Sequence, residues 1–303
     1  MLTQFKSLIQ VLDHFKEEQT CINYLAQLRW DETPACPHCG NVGAYITNRG
    51  YKCKAKECHK KFTVITGTIF ENTKLSLRTW FAAIYLVTAH KKGVSSLQLG
   101  RDLNLTQKTA WFMLHRIREM IKVNTTDKLD GIVEVDETYV GGKAKNKHAN
   151  KYTEPSGRGV DKAPVVAIVQ RDGSVRAFAT ENVLGNTLYS LRANNVEKGS
   201  TLITDGYSAY NWIGRQYNDL SVKHNEDFIT YGDKHTNSVE GFFSHLKRMI
   251  IGTYHSTSRK HLQSYCDELA YRFSNRKITD VERFELAFTG CNSRLTWNKL
   301  ITK

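Results

Sequence analysis

The 303-residue sequence predicts a mixed α/β protein in three parts, and three observations predict it. Four cysteines stand in two close pairs between Cys36 and Cys58. Apolar residues then recur at helical spacing from Leu75 to Ile121. From about Thr126 the pattern turns to short β-branched runs alternating with helices. The boundaries that follow are N-terminal helices over 1–30, a cysteine ribbon over 31–66, a helical region over 67–125, an α/β domain over 126–290 and a tail over 291–303. With 40% hydrophobic and 11% aromatic residues and only four prolines, the chain has enough apolar surface to pack throughout, which excludes a disordered protein.

Charge narrows the partners. Lys and Arg number 43 against 30 Asp and Glu, a formal charge of +13, which favours a polyanion such as nucleic acid or an anionic membrane. No apolar run approaches the roughly 20 residues of a membrane span. The start "MLTQFKSLIQ" lacks the basic and apolar regions of a secretory signal. The expected location is therefore cytoplasmic, and on the nucleoid if the polyanion is DNA.

In chain order, Phe5, Leu8, Ile9, Leu12 and Phe15 predict a first helix, and Thr20 is placed to cap a second over "CINYLAQLRW". Cys36, Cys39, Cys53 and Cys58 follow with the spacing C-x2-C-x13-C-x4-C, two knuckles that can bring four thiolates around one zinc ion. The set leaves no open coordination position, so the zinc is expected to be structural. His59 adjoins the longer knuckle and is an alternative to Cys58. Cys21, Cys266 and Cys291 are scattered.

"VSSLQLGRDLNLTQKTAWFMLHRIREMI" carries one periodic helix, a polar break at Asn104 and a second helix capped by Thr106. That is the layout of a helix-turn-helix, in which the second helix enters the major groove and Gln107, Lys108 and Arg116 are candidate DNA contacts. An ordinary helical packing unit has the same outline. "GIVEVDETYV" and "APVVAIVQRDGSVRAFATENV" then predict three strands, the last two joined by a turn at Asp172 and Gly173. Between the first two lies a glycine- and lysine-rich loop whose Lys143, Lys145 and Lys147 suit phosphate contact. "NTLYSLRANNV" predicts a helix, "STLITD" a strand, and "HTNSVEGFFSHLKRMIIGTYH" a helix from near Thr236.

"EVDETYV" sets Glu134, Asp136 and Glu137 in a stretch of strand composition. Buried carboxylates are costly unless paired, exposed or bound to metal. Asp136 on the first strand, Asp205 ending a later strand and Glu240 in the first turns of a helix form the arrangement by which ribonuclease-H-like nucleases hold two divalent metals. Hard oxygen ligands select magnesium or manganese, and two such ions about 3.5–4 Å apart can clamp both oxygens of a phosphoryl transfer. Lys247 lies seven residues after Glu240, two helical turns on the same face, where it can meet a phosphate, with Arg248 beside it. Strand alternation puts Glu134 with Asp136 and turns Glu137 away, and so leaves open which acid is the ligand.

Taken together, "LRWDETPACPHCG", "YKCKAKECHKKFTVITGTIFENTK", "EVDETYVGGK", "ITDGYSAY", "HTNSVEGFFSHLKR", "GTYH" and "DELAYRF" resemble the zinc-ribbon-bearing DDE transposases of bacterial insertion sequences, insertion-sequence family fifteen-ninety-five. The resemblance implies a ribonuclease-H-like catalytic domain with Asp136, Asp205 and Glu240 as metal-binding acids and Lys247 as a further site residue. It implies two Mg2+ or Mn2+ ions, one structural zinc, DNA as partner, and cleavage and strand transfer at terminal inverted repeats. Pairing two element ends implies a homo-oligomer on DNA. A DNA-binding regulator with an inert acid-bearing domain, and a nuclease that never joins strands, are the alternatives.

Overall fold

The computed structural model describes residues 5–122, 127–142, 162–205, 218–222 and 235–302. The chain divides into two compact units, one of residues 1–122 with 278–303 and the other of residues 123–277. The mixed α/β class expected from the sequence is observed. Residues 278–290, grouped with the strand-rich region from sequence, belong instead to the first unit.

The first unit begins with helices α1 (Leu8–His14) and α2 (Glu18–Trp30). Thr20 is not the cap expected of it, because α2 begins two residues earlier, with Glu17 in the cap position. Glu18 turns its carboxylate onto helix α3 (Leu77–Ala89), accepting the Leu77 N–H at 2.8 Å. Strands β1 (Ala44–Thr47), β2 (Gly50–Cys53) and β3 (Lys61–Phe62) form an antiparallel ribbon. Gly50 is required there: its φ is +126°, and a Cβ would stand 2.6 Å from the Phe62 carbonyl oxygen.

Helix α4 (Ser96–Asp102) and helix α5 (Gln107–Met120) are joined by four residues in which Asn104 takes a positive φ of 52°. The Thr106 hydroxyl caps α5 by accepting the Thr109 N–H. Thus the expected break and cap are both present. Phe15, Phe81, Phe284 and Phe288 form the aromatic centre of this unit, with Phe15 to Phe81 at 4.8 Å and Phe81 to Phe288 at 5.0 Å. Phe284 comes from helix α9 (Asp280–Ala287), which opens on a reciprocal capping box of Thr279 and Glu282 and packs on α3.

The second unit is a five-stranded sheet in the order β6-β5-β4-β7-β8. Its strands are β4 (Ile132–Val140), β5 (Ala163–Gln170), β6 (Val175–Ala179), β7 (Thr201–Asp205) and β8 (Asn218–Val222). The first three pair antiparallel, with the β5–β6 turn at Asp172 and Gly173, and β7 and β8 run parallel to β4. Alternation assigns the faces. Val133, Val135, Val166 and Ile168 pack with Leu188 of helix α6 (Gly185–Asn195). Val165, Ala167 and Val169 face helices α7 (Asn237–Met249) and α8 (Arg259–Ser274), whose Phe242, Phe243, Leu246, Leu262 and Leu269 complete the larger core. No helix among the described residues is long and apolar enough to cross a membrane.

Candidate active site and cysteine centre

Asp136 stands on the central strand opposite Ala167, on the face that receives α7. The parallel register pairs Glu134 with Ile203, so Asp136 comes level with Asp205, the last residue of β7, and both side chains leave the same face. Carboxylate oxygens of Asp136, Glu137 and Asp205 all lie within 4.8 Å of one another. Alternation alone had turned Glu137 away from this group. The paired rows of β4 and β7 end at Val135 and Thr204, one residue short of Asp136 and Asp205.

Glu240 occupies the first turn of α7, exposed, its Oε1 accepting the Thr236 hydroxyl at 2.8 Å. It is outside the 4.8 Å group but close enough to act on Asp136. Burial, opposed by the Glu137 N–H bond at 2.7 Å and reinforced by the charges of Glu137, Asp205 and Glu240, pushes the Asp136 carboxyl up to about 7. Lys247 and Arg248 are exposed in the last turn of α7, and Asn237, Glu240, Ser244 and Lys247 share its outer face while Val239, Phe242, Phe243 and Leu246 are buried.

The raised Asp136 carboxyl has a measurable consequence. The native carboxyl keeps its proton to about 7, whereas the unfolded one loses it near 3.8. Stability therefore falls as pH rises across that window and is level above it. An asparagine side chain has no proton to lose, so in metal-free protein Asp136→Asn is expected to add about 2 kcal/mol of stability at pH 8 after allowance for residual solvent, and less at pH 5, with Tm raised accordingly. Thermal melts in chelator measure this, and an equal or lower Tm at pH 8 refutes the uncompensated-charge account.

Glu134 has a different place. It is wholly buried, and its oxygens accept from Arg171 Nε at 2.8 Å, Ser238 Oγ at 3.0 Å, Ser238 N at 2.8 Å and Val239 N at 3.0 Å. These donors use its acceptor sites, so it is not open to a metal.

In the first unit, the sulfurs of Cys36, Cys39, Cys53 and Cys58 lie within 4.8 Å of one another, with Cys36 to Cys58 at 3.8 Å and Cys39 to Cys53 at 3.6 Å. Cys58 supplies the fourth sulfur, and His59 is exposed with a φ of 46°. Burial raises the Cys36 thiol, but N–H groups of His38 and Cys39 and the thiols of Cys39 and Cys53 outweigh it and bring it down to about 7. Ala55 N–H adds a bond to Cys53 Sγ at 3.4 Å. The Asn41 N–H lowers the Cys39 thiol, but burial and hydrogen bonding to its neighbours in the cluster outweigh it and push that thiol up to about 12. Burial raises the thiol of Cys53, so it is the close set of four sulfurs, not a uniform thiolate preference, that suits a soft metal such as zinc.

The candidate DNA contacts separate. Gln107 and Lys108 are exposed at the start of α5, Gln107 donating to Ser96 Oγ at 3.0 Å and Lys108 Nζ lying 4.9 Å from the Trp297 ring centre. Arg116 is corrected to a core residue. It lies three residues after Met113 on the buried stripe of α5, 5% exposed, between the Trp80 and Phe112 rings and bonded to the Glu71 carbonyl at 2.9 Å. Burial, then the Arg294 charge, lowers its pKa to about 10. Arg248 Nε donates to the Ser244 carbonyl at 3.2 Å. Lys143, Lys145 and Lys147 lie outside the described residues.

Comparison with known proteins bears on both units. Residues 128–274 match the family model of the ISXO2-like transposase domain, and residues 16–61 that of the transposase zinc-ribbon domain. The chain carries an ISXO2-like transposase domain behind a transposase zinc ribbon. That places it among the zinc-ribbon transposases it resembles in sequence. It is 28% identical over 267 residues to a protein of the transposable element ISH50 of Halobacterium salinarum, across 83% of this chain and 89% of that one. Among solved structures, the Mos1 strand transfer complex and the Mos1 transposase paired-end complex with left transposon end each align over 67% of this chain and 75% of theirs. Both show 12% identity and a TM-score of 0.23, too distant to transfer a site or a partner. The acid group lies within the transposase domain, and the four cysteines within the zinc ribbon.

Proposed function

We propose that this transposase binds the terminal inverted repeats of its element, cuts DNA there and joins the freed 3′ ends to target DNA. The observation that carries the reading is the convergence of Asp136 and Asp205, with Glu137, at the level where β7 ends, inside the segment that matches the ISXO2-like transposase domain. A central strand flanked by antiparallel strands on one side and parallel strands on the other supports a ribonuclease-H-like assignment for this sheet.

The donor set fits hard divalent cations. All its atoms are carboxylate oxygens, and burial, with the neighbouring acidic charges adding to it, raises the Asp136 carboxyl. Asp136, Asp205 and Glu240 would hold two Mg2+ or Mn2+ ions, with Glu137 within reach. Bound there, such ions neutralise phosphate charge and lower the pKa of an attacking water or 3′-hydroxyl. The protein's own part is positioning: the sheet sets Asp136 and Asp205 at one level, and α7 presents Glu240 and, two turns on, Lys247 toward a phosphate. The four cysteines would hold one structural zinc. Gln107, Lys108, Lys143, Lys145, Lys147 and Arg248 are the proposed contacts to DNA. Pairing of two ends calls for a homo-oligomer on DNA.

Strand transfer of labelled element ends into a plasmid in Mg2+ tests the reading. Joined products are expected; cleavage without joining would reduce the protein to a nuclease, and binding without either would leave a regulator. Because phosphate contacts release counterions, affinity for element-end DNA is also expected to fall by about 10^3 between roughly 50 and 200 mM salt. A flat salt profile in a binding titration would remove the basic residues from the interface.

A further inference from the structure

We propose that Glu134 is a positioning residue that seats α7, and through it Glu240, against Asp136 and Asp205; this rests on the metal-site reading above. Thr236 holds the cap position of α7 but makes no cap bond of its own, its hydroxyl being given to Glu240 Oε1 at 2.8 Å. The free N–H groups of the first turn still need acceptors. Glu134 supplies them from the central strand, taking the Ser238 and Val239 N–H groups on Oε2. Negative charge at a helix N-terminus is favourable, and more so when buried.

Oε1 ties in the β5–β6 turn. It accepts from Arg171 Nε, and Arg171 Nη2 in turn donates to the His235 carbonyl at 2.8 Å and contacts His235 Nδ1 at 3.0 Å. Residues 235 to 239 are thus held from two directions, from β4 by Glu134 and from the β5–β6 turn by Arg171. Thr236, in the middle of that clamp, orients the Glu240 carboxylate. Only a carboxylate suits Glu134's place: its four partners are all donors, and a glutamine would turn an NH2 group onto donors.

The test titrates Mn2+ into the full chain by calorimetry, with circular dichroism establishing that each variant is folded at the working temperature. Wild type is expected to bind and Asp136→Asn to lose that binding. Glu134→Gln and Arg171→Gln are expected to bind Mn2+ about tenfold more weakly, as loss of an outer partner of a metal ligand does. In cleavage assays Arg171→Gln should raise the Mn2+ concentration needed for half the maximal rate while recovering most of that rate at saturation. A merely structural role would lower Tm and leave the affinity of the folded protein unchanged. Should Glu134→Gln fail to fold, Arg171→Gln decides, and wild-type Mn2+ affinity in that variant overturns the proposal. Absence of Mn2+ binding by wild type overturns the metal site itself.

Discussion

Asp136→Asn and Asp205→Asn are each expected to abolish magnesium-dependent cleavage of element-end DNA while binding to that DNA survives. The two side chains sit level on adjacent parallel strands, so replacing either leaves the sheet and its register intact and removes one charged oxygen donor. Losing a metal removes several kcal/mol of charge stabilisation from the transition state, about a 10^3-fold fall in rate. Binding is expected to persist because the proposed phosphate contacts, Gln107, Lys108 and Arg248, are exposed on helices α5 and α7 and not in the acid group. Cleavage of labelled ends and a gel-shift titration measure the two effects separately. Cleavage within tenfold of wild type in both variants would sink the site. Glu137→Gln belongs in the same series, since its carboxylate reaches the same 4.8 Å group.

Cys36→Ser is expected to lower zinc content from one atom per chain to near none and to expose the ribbon to protease. The reason is the size of what else holds that ribbon. Its buried core consists of Cys36, Cys53 and Phe62, with Trp30, Tyr51 and Cys58 packed alongside, too little apolar surface to order the segment. The Trp30 and Tyr51 rings meet edge to face at 5.2 Å, and Tyr51 stacks on Phe62 at 5.5 Å, contacts worth about 1 kcal/mol each. Zinc in small domains contributes about 10–16 kcal/mol of apparent binding free energy, which becomes folding free energy. Atomic absorption and limited proteolysis with and without chelator provide the measurement. A native, protease-resistant ribbon in metal-free protein would overturn the assignment.

Much of this was legible in the sequence because each feature is local. The Thr106 cap and the Asn104 break need only neighbouring residues to be recognised, and the structure has both. The start of α7 at Thr236 and the Asp172–Gly173 turn are of the same kind. Errors came where a distant residue decides. Thr20 looks like a cap, but the chain begins α2 earlier and commits Glu18 to α3, 59 residues away. Arg116 reads as a groove contact from its place on the second of two helices joined by a short turn, whereas the Trp80 and Phe112 rings and the Glu71 carbonyl take it into the core. Periodicity on α5 carries that signal: Met113, Ile117 and Met120 mark the stripe on which Arg116 also lies.

The sequence by itself pointed to two centres: cysteine spacing picked out one, and acids in strand and helix contexts pointed to the other, while the choice of Asp136 among the acids of its strand came from the family resemblance. It also determined the faces of β4, since alternation follows from the geometry of a single strand. Only the tertiary structure decided what each acid does. Glu134 and Asp136 leave the same face two residues apart, yet one meets four donors from α7 and Arg171 and the other meets carboxylates. That difference arises from which segments, a hundred residues on, pack against each position, and a burial cost or its relief belongs to the packed partners and not to the strand that bears the charge.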